Sequence, residues 1–567
     1  MREGIMGRRS FACAAAITSI LAIAAIGSTG CSKGKSSGSG PAATHDGILT
    51  VSQEQQASWV RNFNPLLAPS SSRWPTVAGI YEPMLVYNTM KGEYVPWLAA
   101  KHEWADGNKK LTFTLRSGVK WSDGQPFSVK DVVFTFELLK KHKALDLHGV
   151  WGFLEGVKAR DESTVDFTLT RAYVPGLVYI GQQPIVPEHK WKDVADPVTY
   201  ANEQPVATGP FTEVKVFQNQ IYELGRNPNY WQQGKPAIKG LRFPAYPGND
   251  QANLALLNSE VDWAGNFVPD IDRSFVGRDT ANNHYWFPLV AGTVLLYTNT
   301  ARKHFSDVRV RKALSMAIDR DQIVKIAMYS YTRPSDATGL SDAYERWRSP
   351  KAIAAGDWVK LDKAKAGALL DEAGYPMTPG GTRASADGTA LKFEINVVTG
   401  WSDWVRAAQI IAQNLKQVGV DASMKAYDYS AFFEKLQKGD FDLSLGWSSE
   451  EPTPYNFYRD LISTETVKPV GEPAARNWHR FASKEADALL QAFEVTADEA
   501  EQKRLGEQLQ AIFVDNAPSI PLFPNPSWGE YNTTRFTGFP SKEKPFAKLS
   551  PNNPPEYLLV LTELTPR

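Results

Sequence analysis

The chain has 567 residues, and its 62 basic side chains balance 62 acidic ones. That length exceeds what one hydrophobic core usually serves, so two or more bodies are expected. The balanced charge excludes a nucleic-acid footprint. Aromatic content is heavy, with 17 Trp, 21 Tyr and 27 Phe, and such surfaces stack on sugars, bases and cations as well as filling cores.

The N-terminal stretch MGRRSFACAAAITSILAIAAIGSTGC carries Arg8 and Arg9, then an apolar run from Phe11 to Ile26 that is short for a membrane span. Arg8-Arg9-Ser10-Phe11 resembles a twin-arginine export signal. Ser28-Thr29-Gly30-Cys31 resembles the lipobox of bacterial lipoproteins, with Ser28 standing where that pattern prefers Leu or Val. Residues 1–30 are therefore expected to be a signal peptide, Cys31 a lipidated residue, and 31–46 a Gly/Ser tether. The protein would then be anchored on the extracellular face of the cell membrane. The other cysteine, Cys13, lies inside the signal, so no disulfide is expected in the mature chain.

A first short strand is predicted near Gly47, in GILTVSQ. In LTFTLRSGVKW, Leu111, Phe113 and Leu115 alternate with Thr112, Thr114 and Arg116, the period of a half-buried strand. SDGQPF then turns the chain. SVKDVVFTFELLKK predicts a helix capped by Ser128, with Asp131 at its third position and Val132, Val133, Phe136 and Leu139 sharing a face.

Between Leu391 and Trp447 the pattern alternates regularly. LKFEINVV, VDASMKAY and FDLSLGW are strands, separated by the helices SDWVRAAQIIAQNLKQVG and SAFFEKLQKGD. The first helix puts Val405, Ala408, Ile411, Ala412 and Leu415 on one face and closes at Gly419. This order predicts an α/β fold with a parallel sheet and helical crossovers. Ligands of open α/β sheets bind beyond the carboxyl ends of strands. Trp401 and Trp404 follow the first of these strands, Trp447 ends the third, and Trp263 follows a short strand in LLNSEVDWAGNF. These stacking faces are expected to gather at a cleft.

IYEPMLVYN, LAAKHEWADGNKKLTFTLRSGVKWSDGQPFSVKDVVFTFELLK, VATGPF, NPNYW and FSDVRVRKALSMAIDRDQIV occur in this order. They resemble the family 5 solute-binding proteins of ABC importers, over nearly all of Gly47 to Arg567. The resemblance implies a two-lobed periplasmic-binding-protein-like fold with an extra subdomain on the first lobe. Lobe I would comprise residues 47–90, 205–295 and 525–567, the extra subdomain 91–204, and lobe II 296–524. It also implies hinge closure over a solute, docking on permease subunits, a monomer, and framework roles for the Trp121-Ser122-Asp123-Gly124 turn and the Thr208-Gly209-Pro210 loop. No cofactor is implied.

Peptide-binding members of that family place an Asp shortly after the Trp that ends the strand, to hold the peptide's amino terminus. This chain reads GWSSEEPTPYNFYRDL there, without that aspartate. The run resembles more closely the subgroup that binds cello- or manno-oligosaccharides. Sugar rings pack their C–H faces on indole, and their hydroxyls need partners that both donate and accept. The candidate ligand contacts are Trp59, Trp74, Trp263, Trp401, Trp404, Trp447 and Trp528, beside Gln53, Asn62, Asn266 and Asn299. On this reading Trp447 is covered by a sugar ring when the cleft is filled.

The first rival is a peptide importer protein that uses Glu450 or Glu451 as the ammonium anchor. A glycosidase is the second. It needs two carboxyl groups about 5 Å or about 6.5–9.5 Å apart, and the adjacent Glu450 and Glu451 point opposite ways on an extended chain. Outside the expected Gly/Ser tether, no Gly-x-Ser-x-Gly elbow or phosphate-cradling glycine loop is present. For a metal site, His142 and His148 lack the i, i+4 spacing of a helical ligand pair and are expected at the surface.

Overall fold

The computed structural model describes residues 46–53, 55–67 and 74–567, except the side chain of Trp74. The expected signal peptide, the Cys31 lipidation site and the tether up to residue 45 lie outside them. Two large sheets and a smaller one organise the described chain. The seven-stranded sheet runs in the spatial order Asn283–Tyr285, Glu530–Asn532, Trp263–Ala264, Ile48–Ser52, Gly240–Pro244, Ile221–Arg226, Phe211–Gln218. Its central strand, Ile48–Ser52, is parallel to both neighbours.

The five-stranded sheet has the order Asp421–Tyr427, Lys392–Val398, Leu443–Trp447, Thr293–Thr298, Ser519–Pro524. The three strands read from the sequence are parallel, as the two intervening helices require. Thr293–Thr298 then joins antiparallel to both Leu443–Trp447 and Ser519–Pro524, so the sheet is mixed. Those two strands were not read from the pattern. They are short, fully buried runs without alternation, and periodicity alone does not separate such runs from buried helix.

Strand alternation divides this sheet between two cores. Val294, Leu296, Ile395, Val397, Leu443 and Leu445 pack with the helices Val308–Ala317 and Ser402–Lys416. Leu295 and Tyr297, on the opposite face, enter a larger cluster that reaches through the seven-stranded sheet. The Ser402–Lys416 helix buries Ala408, Ile411, Ala412 and Leu415 as its pattern predicts, while Val405 stays half-buried. Gly419 then turns the chain at φ +82°.

The four-stranded antiparallel sheet joins Ala99–Ala105, Lys110–Leu115, Thr164–Leu169 and Leu154–Ala159. The predicted helix beside it spans Val129–Lys141. Ser128 Oγ accepts from Lys130 N at 3.2 Å and Asp131 accepts from Ser128 N at 2.9 Å, completing a capping box. Trp121 is fully buried, and Ser122 N donates to Ala207 O at 2.9 Å. A Cβ at Gly209 would stand 2.3 Å from the Ile80 carbonyl oxygen, so only glycine fits that approach. Among the described residues no helix is long and apolar enough to cross a membrane.

Candidate ligand-binding site

The strand Leu443–Trp447 stops at Trp447, and the chain leaves the sheet as Ser448-Ser449-Glu450-Glu451. A cavity of about 190 Å³ opens there, lined by Tyr297, Trp447, Ser448, Ser449, Glu450, Asp460, Leu461, Arg476, Asn477 and Trp478. It lies beyond the carboxyl end of a strand, where an open α/β sheet leaves room.

Aromatic packing builds its floor. Trp478 stands edge-on to Trp447 at 5.5 Å, and Phe433 stacks on Trp447 at 6.1 Å. Tyr297 comes from the neighbouring strand and lies across Gly446, where a Cβ would meet its ring at 2.5 Å. Its hydroxyl donates to Trp447 O at 2.9 Å. The Trp478 indole N–H donates to Ala474 O at 3.1 Å, so its polar edge is satisfied and its ring serves the wall.

The charged residues of the wall are paired within the protein. Arg476 Nε lies 3.0 Å from Asp460 Oδ2, and Ser449 Oγ donates to the same carboxylate. Burial pushes the Asp460 carboxyl up, against the pull of Arg476 and the Ser449 hydroxyl. Glu450 Oε2 accepts from Lys548 Nζ at 3.3 Å. Half-buried Glu451 faces Tyr94, Tyr179 and Tyr344, and desolvation raises its carboxyl to about 7.

The structure brings only part of the expected site together. Trp447 and Glu450 line the cavity. Trp401 and Trp404 stand behind Trp447, at 6.1 and 6.4 Å, and support it. Several other candidates serve the framework instead. The Trp59 indole N–H donates to Phe243 O at 2.9 Å and that of Trp263 to Leu549 O at 2.7 Å, both inside the core. Asn299 Nδ2 donates to the carbonyls of Gly439 and Phe441. Asn266 Nδ2 donates to Asn253 Oδ1, and Asn62 Oδ1 accepts from Asn64 N in a turn. Gln53 Nε2 donates to Pro551 O, and with Trp263 it borders a void of about 10 Å³, about the room of one water.

Trp528 belongs to a different aromatic group, edge-on to Phe267, Phe287 and Tyr331. Phe287 and Tyr331 also line a wider hollow of about 500 Å³ that includes none of the sequence candidates. The Trp74 side chain is outside the described residues. Tyr297, Asp460, Arg476, Trp478 and Lys548 were missed. Arg476 and Trp478 lie in irregular chain between Val467 and Ser483, where no periodic signal marks an inward face.

His142 is half-buried, and His148 is exposed with its ring stacked on Tyr179 at 5.1 Å. Among the described residues no group of three His, Cys, Asp or Glu side chains stands ready to hold a metal.

A profile of the bacterial extracellular solute-binding proteins, family 5 (middle region), matches residues 93–468. The chain belongs to this family. A family 5 protein is a transport binding protein of an ABC importer, working outside the cytoplasm with permease subunits, and is not an enzyme. The chain is similar to the nickel-binding periplasmic protein of Escherichia coli K12, 26% identical over 460 residues that cover 78% of this chain and 83% of the relative. It is also similar to the dipeptide-binding protein of the same organism, 26% identical over 489 residues, 81% of this chain and 86% of the relative. Among solved structures, a periplasmic oligopeptide-binding protein of Thermotoga maritima with mannohexaose bound superposes with a TM-score of 0.83 at 26% identity. That match covers 92% of this chain and 98% of the other. The oligopeptide-binding protein AppA of Bacillus subtilis, in complex with a nonapeptide, shares the fold at 20% identity and a TM-score of 0.75. These likenesses extend the family's two-lobed architecture to this chain.

Proposed function

We propose that this family 5 protein captures an oligosaccharide of the cello- or manno- type by hinge closure and delivers it to the permease of its importer. The observation that carries this reading is the wall of the cavity. Aromatic faces from Trp447, Trp478 and Tyr297 stand beside a set of charges already matched within the protein: Asp460 with Arg476, and Glu450 with Lys548. A neutral ring with C–H faces and hydroxyls uses such a wall fully, by stacking and by hydrogen bonds to the paired groups. An ammonium-bearing ligand finds its carboxylate engaged. The likeness to a structure holding mannohexaose supports the same class.

A lipid anchor at Cys31 and a monomeric state complete the proposal, the first from the lipobox-like stretch and the second from the family resemblance. A peptide ligand is the second reading, favoured by the similarity to the dipeptide-binding relative. The test is intrinsic tryptophan fluorescence during titration with manno- and cello-oligosaccharides and with di- to pentapeptides. A saturable change with one saccharide series, smaller and shifted to higher concentration in Trp447→Ala, is expected. A saturable change with peptides alone would overturn the saccharide reading.

A further inference from the structure

Lys548 belongs to the C-terminal chain that packs on the seven-stranded sheet, where Leu549 O accepts from Trp263; Asn88, of the Leu85–Asn88 hairpin strand, also donates to Phe546 O. Glu450 follows the last parallel strand of the five-stranded sheet. The two side chains therefore join chain that packs on one large sheet to chain that leaves the other. Lys548 is 6% exposed, while Glu450 is 32% exposed and faces the cavity.

The ammonium has a second neighbour, Glu556 Oε2 at 3.6 Å. Glu556 is already held without it, because Thr89 N, Thr89 Oγ1 and Lys548 N donate to its carboxylate at 3.1, 2.7 and 3.1 Å. Glu450 has no such set: Lys548 is the only donor to its carboxylate found among the described residues. Burial pulls the Lys548 ammonium down, but the two carboxylates outweigh it and hold the group charged.

We propose that Lys548 is a specificity-determining residue: its ammonium occupies the Glu450 carboxylate at the edge of the cavity, so the site accepts a neutral ligand and rejects one carrying a free amine. The neutral ligand's identity as a saccharide rests on the function proposed above; the role of Lys548 does not. A ligand ammonium that approached Glu450 would meet a like charge within the same pairing, and displacing Lys548 would leave a nearly buried cation with only the Glu556 carboxylate, at 3.6 Å. Without Lys548, Glu450 becomes a half-exposed carboxylate open to the cavity.

The experiment compares matched ligands that differ only in amine acetylation: glucosamine oligomers against their fully N-acetylated forms, and tripeptides with free or acetylated amino termini. Wild-type protein is expected to prefer the acetylated member of whichever pair it binds. Lys548→Met should shift the ratio of the two dissociation constants toward the free amine by about tenfold or more, the scale of one charge-assisted hydrogen bond. Lys548→Gln, which removes the charge but keeps a polar, one-bond-shorter side chain, should shift it in the same direction if the Met variant does not fold. Adding Glu450→Gln to either variant should abolish the shift. A folded Lys548 variant whose ratio stays at the wild-type value would overturn the proposal. Binding of peptides alone would sink the saccharide reading, and Lys548 would still be judged on the peptide pair.

Discussion

The Tyr297 hydroxyl donates to the carbonyl oxygen of Trp447 at 2.9 Å, across adjacent antiparallel strands. This bond ties the end of the Leu443–Trp447 strand to Thr293–Thr298, which the sequence pattern did not reveal. It places a phenol beside an indole at the mouth of the cavity, and Gly446 leaves the room for it. Tyr297→Phe removes one hydrogen bond and keeps the ring, so a stability loss of about 1 kcal/mol is expected. Chemical denaturation measures it, and a matching rise in the ligand dissociation constant would show that Trp447 has lost its alignment.

Trp447 is covered on one side by Phe433 and Trp478 and borders the cavity on the other. Trp447→Ala should therefore weaken ligand binding by about 30-fold or more, the scale of an aromatic hot spot. The fold should persist, because the residue is only half-buried. Circular dichroism beside the binding titration separates the two effects.

Glu82 is fully buried and accepts from Trp97 Nε1 at 2.7 Å and Tyr230 Oη at 2.9 Å. Desolvation nevertheless raises its carboxyl to about 7, against these donors. The folded state then holds this proton more tightly than the unfolded chain does. Its contribution makes stability fall as pH rises from about 4.5 to about 7, by an amount on the order of 3 kcal/mol. Glu82→Gln should flatten that part of the stability–pH curve, measured by denaturant melts at half-unit intervals. An unchanged curve would contradict the assignment.

Gly209 approaches Ile80 O so closely that Gly209→Ala must move backbone. A loss of about 2–3 kcal/mol is expected, as for other overpacked sites. Thermal unfolding checks it, and a neutral result would remove the Thr208-Gly209-Pro210 loop from the framework.

Much of the fold was legible because periodicity is local. The capped Val129–Lys141 helix and the strand–helix alternation from Lys392 to Trp447 follow from spacing within a few turns. The position of Trp447 at a strand end was readable in the same way. The rest of the site is made by distant chain. Lys548 reaches Glu450 over 98 residues of sequence, and Arg476 and Trp478 come from a stretch without regular elements. Trp59 and Trp263 carry the same aromatic signal as Trp447. Only the backbone carbonyls that satisfy their indole N–H groups mark them as core.

On the function proposed above, the cavity at Trp447 receives a neutral saccharide. Calorimetric titration of the purified protein with mannohexaose, cellopentaose and unmodified tri- to pentapeptides tests it most directly. Saturable heat with a saccharide, weakened about 30-fold or more by Trp447→Ala and absent with peptides, is the predicted result. Saturable heat with peptides and none with either saccharide would contradict the account.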